Sequence, residues 1–256
     1  MKILIAAGAT KEYIDAIRFI SNDSSGKMGI ALLKEAIKRK HTVKFIYGSG
    51  SALTKRTIKK ISDTDGVEKV INAITYAHFR EAVLSEISDC EIFICPAAIS
   101  DFTIERKNFK IKSDKEILLK LKPTEKLVKL AKQKFPDVFV VAFKAEYDVS
   151  DDALKNSAIE KLRAENLDMV VANDVAKSKF GSDRSDVFLI SRNKIGHLKG
   201  SKRAIARKFF TSLRSEMFKN EVLNIAEAEI RTQAPSQEPA LKAGALNHSA
   251  TSAQIR

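Results

Sequence analysis

Cysteine and histidine are scarce in this chain. Its two cysteines, Cys90 and Cys95, stand in a C-x4-C spacing with no second pair, and the four histidines (His41, His78, His197, His248) are scattered. This excludes a disulfide framework and leaves no readable zinc site. The cysteines read as two ordinary thiols in a reducing compartment. No apolar run approaches the roughly 18 residues that span a bilayer. The first apolar stretch, Ile3–Ala7, is too short for a signal-peptide core and is soon followed by Glu12 and Asp15. Secretion and membrane insertion are disfavoured, and a cytoplasmic location is expected. The glycine fingerprints of common nucleotide folds are missing too. A Walker A loop would need glycine at position 21 and serine or threonine at position 28, where the chain has Ser21 and Met28. No G-x-G-x-x-G is found, which disfavours a nicotinamide dinucleotide.

Positive charge is plentiful. Over 256 residues the formal net charge is +13, with 44% hydrophobic and 30% charged residues. The length allows one large domain or two small ones, at roughly 150 residues each. Such a basic chain suits nucleic acid, an anionic surface or small polyanions such as nucleotides. The basic residues are spread through Lys38–Lys40, Lys55–Lys60, Arg106–Lys115 and Lys199–Arg207. No aromatic-interleaved RNA-binding motif accompanies them. They read mainly as a solvated basic surface, with a non-catalytic, Rossmann-like nucleic-acid-binding protein as the alternative.

Hydrophobic patterning predicts an alternating α/β order. Ile3–Ala7 reads as a first strand, ending at Gly8. A helical stretch is expected next, then the turn-rich Ser21–Gly26. Met28, Ile30, Leu32, Leu33, Ala36 and Ile37 recur at helical spacing. Strands follow at Thr42–Tyr47 and Glu91–Cys95, with a helix over Val70–Ile87 between them. Leu127–Lys134 and Asp151–Asn166 read as helices, and Asp137–Phe143, Asp168–Ala172 and Asp186–Ser191 as strands. Phe109–Leu121 reads as a hairpin flap and Lys202–Phe218 as a closing helix continuing to about residue 231. From Thr232 to Arg256 alanine, serine, glutamine, proline and threonine dominate, which predicts a disordered tail. The fold class expected is α/β: a Rossmann-like, doubly wound, mostly parallel sheet with a small hairpin flap.

In such a sheet ligands bind beyond the carboxyl ends of the strands. Gly8-Ala9-Thr10, Ser21–Gly29, Ala97–Asp101, Phe143–Glu146 and Ala172–Asp174 would all fall there. Ser24-Ser25-Gly26-Lys27-Met28-Gly29 opens a helix whose free N–H groups suit a phosphate, or it is simply a helix cap. Lys110 and Lys112, two apart on the expected strand, would share a face and close over a triphosphate, or form an exposed charged hairpin.

Together these segments resemble the phosphopantothenate–cysteine ligase family, the amide-forming domain of coenzyme A biosynthesis. The resemblance runs through Gly8-Ala9-Thr10-Lys11-Glu12, Asp15, Arg18–Gly29, Ala97–Phe102, Lys110-Ile111-Lys112, Ala142–Glu146 and Val171–Val175, covering roughly residues 1–215. It implies a ligase domain over 1–218, a homodimer, CTP or ATP as co-substrate, and Mg²⁺. Bacterial and archaeal relatives generally use CTP, and Lys144 with the Lys110–Ser113 flap looks like the archaeal type. Many relatives carry a flavin-dependent decarboxylase domain ahead of this one. With Met1 on the first strand, neither flavin nor decarboxylase activity is expected here, and a separate decarboxylase is a possible partner.

By position, the resemblance implies that Asn22 holds the acyl-nucleotide and that Lys110 meets the nucleotide phosphates. Gly8, Ser24, Gly26, Gly29, Asp101, Phe143, Lys161 and Asn173 fall at nucleotide-binding positions, and Arg18, Asn22, Ala97, Ala98 and Asp101 at substrate-binding ones. Arg18 is expected to reach the substrate phosphate across the dimer interface. No protein metal ligands are implied. Lys122-Pro123-Thr124-Glu125 stands where relatives have a short Asn-Pro loop, and Glu165 replaces a second nucleotide lysine.

Overall fold

The computed structural model describes residues 1–177 and 181–233. The strands are β1 (Lys2–Ala7), β2 (Lys11–Tyr13), β3 (Phe19–Ser21), β4 (Thr42–Tyr47), β5 (Val67–Asn72), β6 (Ile92–Cys95), β7 (Phe102–Ile104), β8 (Leu121–Pro123), β9 (Phe139–Glu146), β10 (Met169–Asp174), β11 (Arg184–Ser191) and β12 (Ile195–Ser201). The helices are α1 (Lys27–Lys38), α2 (Lys55–Ser62), α3 (Tyr76–Glu86), α4 (Leu127–Lys134), α5 (Asp151–Ala164) and α6 (Lys202–Gln233). The chain divides into two units, Met1–Met217 and Phe218–Arg256. The first carries the whole sheet; in the second, the described part is helical through Gln233.

The eight-stranded sheet has the order β12-β11-β10-β9-β6-β1-β4-β5. From β10 to β5 every pairing is parallel, and β11 and β12 extend the edge antiparallel. The central strands are buried on both faces, as parallel strands with helices on each side must be. Along β1 and β6 the side chains alternate. Leu4, Ala6, Phe93 and Cys95 enter the core with Phe79 of α3, Ala131 of α4 and Leu154 of α5. Ile3, Ile5, Ile92 and Ile94 enter the core with Leu33 of α1, Ile61 of α2 and Phe209 of α6. The result is the three-layer, Rossmann-like fold expected. Among the described residues no helix is long and apolar enough to cross a membrane.

Five local expectations are corrected. The stretch after Gly8 is not helical: β2 and β3 pair antiparallel, with Glu12 opposite Ile20. Val70–Ile87 is not one helix. Its first residues complete β5, and α3 begins after Thr75, whose side chain accepts from His78 N–H at 3.3 Å. The sequence reading missed α2 and the edge strand β12. The flap is a hairpin, but its paired strands are β7 and β8, with Phe102 opposite Pro123, and residues 105–120 form an irregular connecting loop. Lys110 and Lys112 therefore lie on no strand, and the shared-face argument for them falls away. Thr232 and Gln233, read as tail, belong to α6, and the rest of that tail lies outside the described residues.

Helix α1 sits unusually close to the sheet. A Cβ built on Gly29 would lie 2.3 Å from the Ala7 Cβ, so only glycine lets the helix start reach the end of β1. Gly29→Ala is expected to destabilise the protein by about 1–3 kcal/mol, the usual range for overpacking a tight core. Chemical denaturation followed by far-UV circular dichroism measures this. A variant as stable as the wild type would show that α1 has room to retreat.

Candidate functional site

The strand order reverses at β1. From there the chain builds outward through β4 and β5, then returns to add β6 on the other side. The crevice at such a reversal is where open α/β sheets place ligands. Ala9 knots the loops there, bridging to Ser49 on one side and Ala98 on the other. Gly8 makes this possible at φ +85°, where any Cβ would meet Ser49 O at 2.6 Å. Gly8 thus shapes the crevice floor through its backbone.

Beside this knot opens a cleft of about 490 Å³. That volume is in the range of ligand sites. One wall is the β3–α1 loop and the start of α1, including Asn22, Ser24, Gly26 and Gly29. The opposite wall is the loop after β6, with Ala97, Ala98 and Asp101, and the lining is completed by Phe143 of β9 and Asn173 of β10. Gly26, at φ +75°, is the N-cap of α1, and no side chain caps this helix. The nearest substitute is Ser25 Oγ, accepting from Lys27 N–H at a long 3.4 Å. A 12-residue helix thus presents its dipole and first-turn N–H groups at the cleft, an arrangement that attracts anions. Asn22 spans the opening, its Nδ2 donating to Ala98 O at 3.4 Å and Ile99 O at 3.5 Å.

Four lysines face the same space. Lys27 pairs with Asp183 at 2.7 Å and also donates to Gly181 O. Lys126 pairs with Asp101, and Lys144 with Glu146 at 2.9 Å. Lys202 donates to Ser182 O. Burial, and then the charge of Lys27, hold the Lys202 ammonium below its ordinary pKa, so an anion there would relieve the repulsion. Sequence reasoning placed none of these four among the site residues. Lys144 and Lys27 lay within motifs already recognised. Lys126 follows Glu125 of the Lys122–Glu125 loop, while Lys202 had no local signal. Cys95 also lines the cleft, but burial pushes its thiol up to about 12 and keeps it protonated. Among the described residues no cluster of His, Cys, Asp or Glu could hold a metal ion on its own.

Nine of the thirteen expected site residues line this cleft: Asn22, Ser24, Gly26, Gly29, Ala97, Ala98, Asp101, Phe143 and Asn173. Four do not. Gly8 lies beneath it. Lys161 of α5 pairs with Glu165, the residue that caps the helix's C-terminus, at 2.7 Å, both side chains largely buried. Arg18 sits on the β2–β3 turn, 3.2 Å from Asp15. Lys110 is exposed in the 105–120 loop.

Asp174, next to the cleft residue Asn173, ties the end of β10 to the turn after β9. Asp174 is 3% exposed and accepts from Asp148 N–H at 2.9 Å, Ala176 N–H at 2.9 Å and Val149 N–H at 3.3 Å. Burial pushes its carboxyl up, but the three N–H groups and the Lys177 charge outweigh that and hold it below the usual range. A depressed folded pKa adds stability above the unfolded value of about 4, lost as pH falls through the lower folded value. Thermal melts across this acid range should therefore fall less steeply for Asp174→Asn than for the wild type. Parallel curves would remove Asp174 from the acid response.

Residues 1–217 match the domain family described as DNA/pantothenate metabolism flavoprotein C-terminal domain. The chain is 36% identical over 207 residues to the coenzyme A biosynthesis bifunctional protein CoaBC of Methanocaldococcus jannaschii, covering 81% of this chain and 49% of that protein. It is 38% identical over 195 residues to the CoaBC of Thermococcus kodakarensis, covering 75% and 45%. It thus spans about half the length of these relatives. The crystal structure of the DNA/pantothenate metabolism flavoprotein from Streptococcus pneumoniae superposes with a TM-score of 0.73 at 23% identity, covering 84% of this chain and 99% of that one. That likeness bears on the fold.

Proposed function

Because the chain belongs to the family of DNA/pantothenate metabolism flavoprotein C-terminal domains, we propose that it is a phosphopantothenate–cysteine ligase. It joins cysteine to 4′-phosphopantothenate through an acyl-nucleotide, with CTP favoured over ATP. The observation that carries this reading is one cleft holding an uncapped helix start, an amide spanning its mouth and four lysines. That is equipment for polyphosphate and for an acyl group, with no nucleophilic side chain required.

In the first half-reaction a carboxylate oxygen of 4′-phosphopantothenate attacks the α-phosphorus. The bond to the β-phosphate breaks and pyrophosphate leaves. Charge grows on the departing oxygens, and the α1 N–H groups with Lys27 and Lys202 are placed to neutralise it. A magnesium ion would fit here as a companion of the nucleotide's phosphates, with Asp23, Asp101 and Glu125 as the carboxylates that line the cleft. When bound, it supplies further charge neutralisation on the phosphates. In the second half-reaction the cysteine amine attacks the acyl carbon and loses a proton to water, the acyl carbon–oxygen bond to the phosphate breaks, and the nucleoside monophosphate leaves. Asn22 donates an N–H to the oxygen that becomes negative, and its neutrality adds no repulsion.

The reading includes a homodimer in which Arg18 meets the substrate phosphate across the interface, its planar fork matching phosphate oxygens. The 4′-phosphopantothenoylcysteine formed would pass to a flavin-dependent decarboxylase.

The test is pyrophosphate release with each common nucleotide, 4′-phosphopantothenate and Mg²⁺, with and without cysteine. Release should be greatest with CTP, and amide should appear only with cysteine. No release with any nucleotide would overturn the reading. Tight, steeply salt-dependent binding to random duplex would then favour the nucleic-acid alternative.

A further inference from the structure

Two buried carboxylates tie the hairpins together, and they do different work. Glu12 accepts from Tyr76 N–H at 2.8 Å and Thr103 Oγ at 2.8 Å, fastening β7 to the start of α3. Asp15 is fully buried, and its two oxygens serve two structures. Oδ1 accepts from Ile17 N–H at 2.8 Å and Arg18 N–H at 2.7 Å, shaping the β2–β3 turn. Oδ2 accepts from Ile111 N–H at 3.2 Å and lies 3.2 Å from Arg18 Nη1. The same Nη1 donates to Ile111 O at 3.2 Å. Both backbone groups of Ile111, the residue between Lys110 and Lys112, are thus held by this pair. One further tether, Lys107 N–H to Ile14 O at 3.0 Å, holds the loop to the same turn.

We propose that Asp15 is a positioning residue: it pins the 105–120 loop at Ile111, and so fixes the pivot from which Lys110 reaches the cleft. Arg18 is the adjustable half of the pin. Its Nη1 serves Ile111 O in this structure, and a phosphate that engaged the guanidinium would compete for the same donor. Asp15 keeps hold of Ile111 N–H throughout, so the loop swings without being lost. The inference rests on the ligase reading for what Lys110 does, but the pin itself is independent of it.

Asp15→Asn separates the two jobs. One carbonyl oxygen remains for the two short turn contacts. The amide then faces Ile111 N–H and the guanidinium, donor against donor. Hydrogen–deuterium exchange of the ligand-free protein should show amides of residues 107–115 exchanging about tenfold faster or more, as expected when a hydrogen bond to a charged acceptor is lost. The central strands should be unchanged. In the pyrophosphate assay kcat should fall about tenfold with nucleotide KM within about twofold, since a displaced charge is missing mainly from the transition state. A merely structural role would raise exchange throughout and leave no such split. If Asp15→Asn fails to fold, Ile111→Pro deletes the pinned N–H with the carboxylate intact, and the Lys110 and Lys112 amides should exchange faster. Unchanged loop exchange in a folded variant overturns the pin. Wild-type protein that releases no pyrophosphate overturns the ligase reading and leaves the exchange result standing.

Discussion

Lys110→Ala should slow pyrophosphate release by about 10²-fold or more, the scale on which removal of a positioned charge stabiliser acts. The lysine is exposed, in an irregular loop, and outside the cleft lining. Its contribution is therefore expected only after the loop moves. A charge that engages the phosphates only in the transition state acts on kcat, with little effect on nucleotide affinity. Closure would also exclude water and strengthen every charge interaction at the α-phosphorus. Lys112→Ala should cost far less, because the family resemblance falls on the first lysine. Tryptic cleavage at Lys110–Lys115 should be rapid in the free protein and suppressed by CTP with Mg²⁺. A Lys110→Ala enzyme within threefold of wild type, cleaved equally with and without nucleotide, would return this lysine to an ordinary solvated loop.

The parts of the fold that sequence patterning predicted are those where burial is continuous. β1, β6, β9 and β10 are runs of apolar residues, buried on both faces, and α1 and α4 carry a clear apolar stripe. The misreadings fall where the local signal is short or ambiguous. Ile14, Ile17 and Ile20 recur every three residues, which imitates a helix, yet the strands there are only three residues long and turn on Asp15, which accepts from Ile17 and Arg18 N–H. Val70, Ile71, Ala73 and Ile74 also imitate a helical face, although the first two belong to β5. β12 is an edge strand with Gly196 and Gly200, alternately half-buried and exposed, and has no apolar run to betray it.

The site divides the same way. Residues on the loops that leave β1, β6, β9 and β10 were legible, because parallel topology carries all of those loops to one edge. Lys202 was not. It reaches the cleft because β11 and β12 run antiparallel at the sheet edge: Arg184 pairs with Ser201, so the chain returns to the ligand side just as α6 begins. That depends on a hairpin register with no local sequence mark. Gly8 was legible as a residue of this edge but not in its role, which the approach of the Ser49 carbonyl sets.

Asn22→Asp should separate the two half-reactions. Asn22 Nδ2 points toward Ala98 O and Ile99 O, at 3.4 and 3.5 Å. These are weak contacts, and the side chain is exposed at the cleft mouth. It can therefore turn toward a bound acyl group at little cost. An aspartate there loses both N–H donors. It also sets a negative charge against two carbonyl oxygens and against the oxygen that becomes negative when cysteine attacks. On the proposed mechanism, activation at the α-phosphorus relies on the α1 N–H groups and the lysines, which this substitution leaves in place. Acyl-nucleotide should therefore still form, with one pyrophosphate released per site. Its transfer to cysteine should fall by about 10²–10³-fold, as for loss of an oxyanion donor. Rapid-quench mass spectrometry follows both species in one experiment. The expected record is acyl-nucleotide that builds up and decays slowly whether or not cysteine is present. Melting temperatures should match, since an exposed side chain with two long hydrogen bonds carries little of the fold. Amide formation at the wild-type rate would remove Asn22 from the transfer step. Loss of pyrophosphate release along with amide formation would move its role to the activation of the carboxylate.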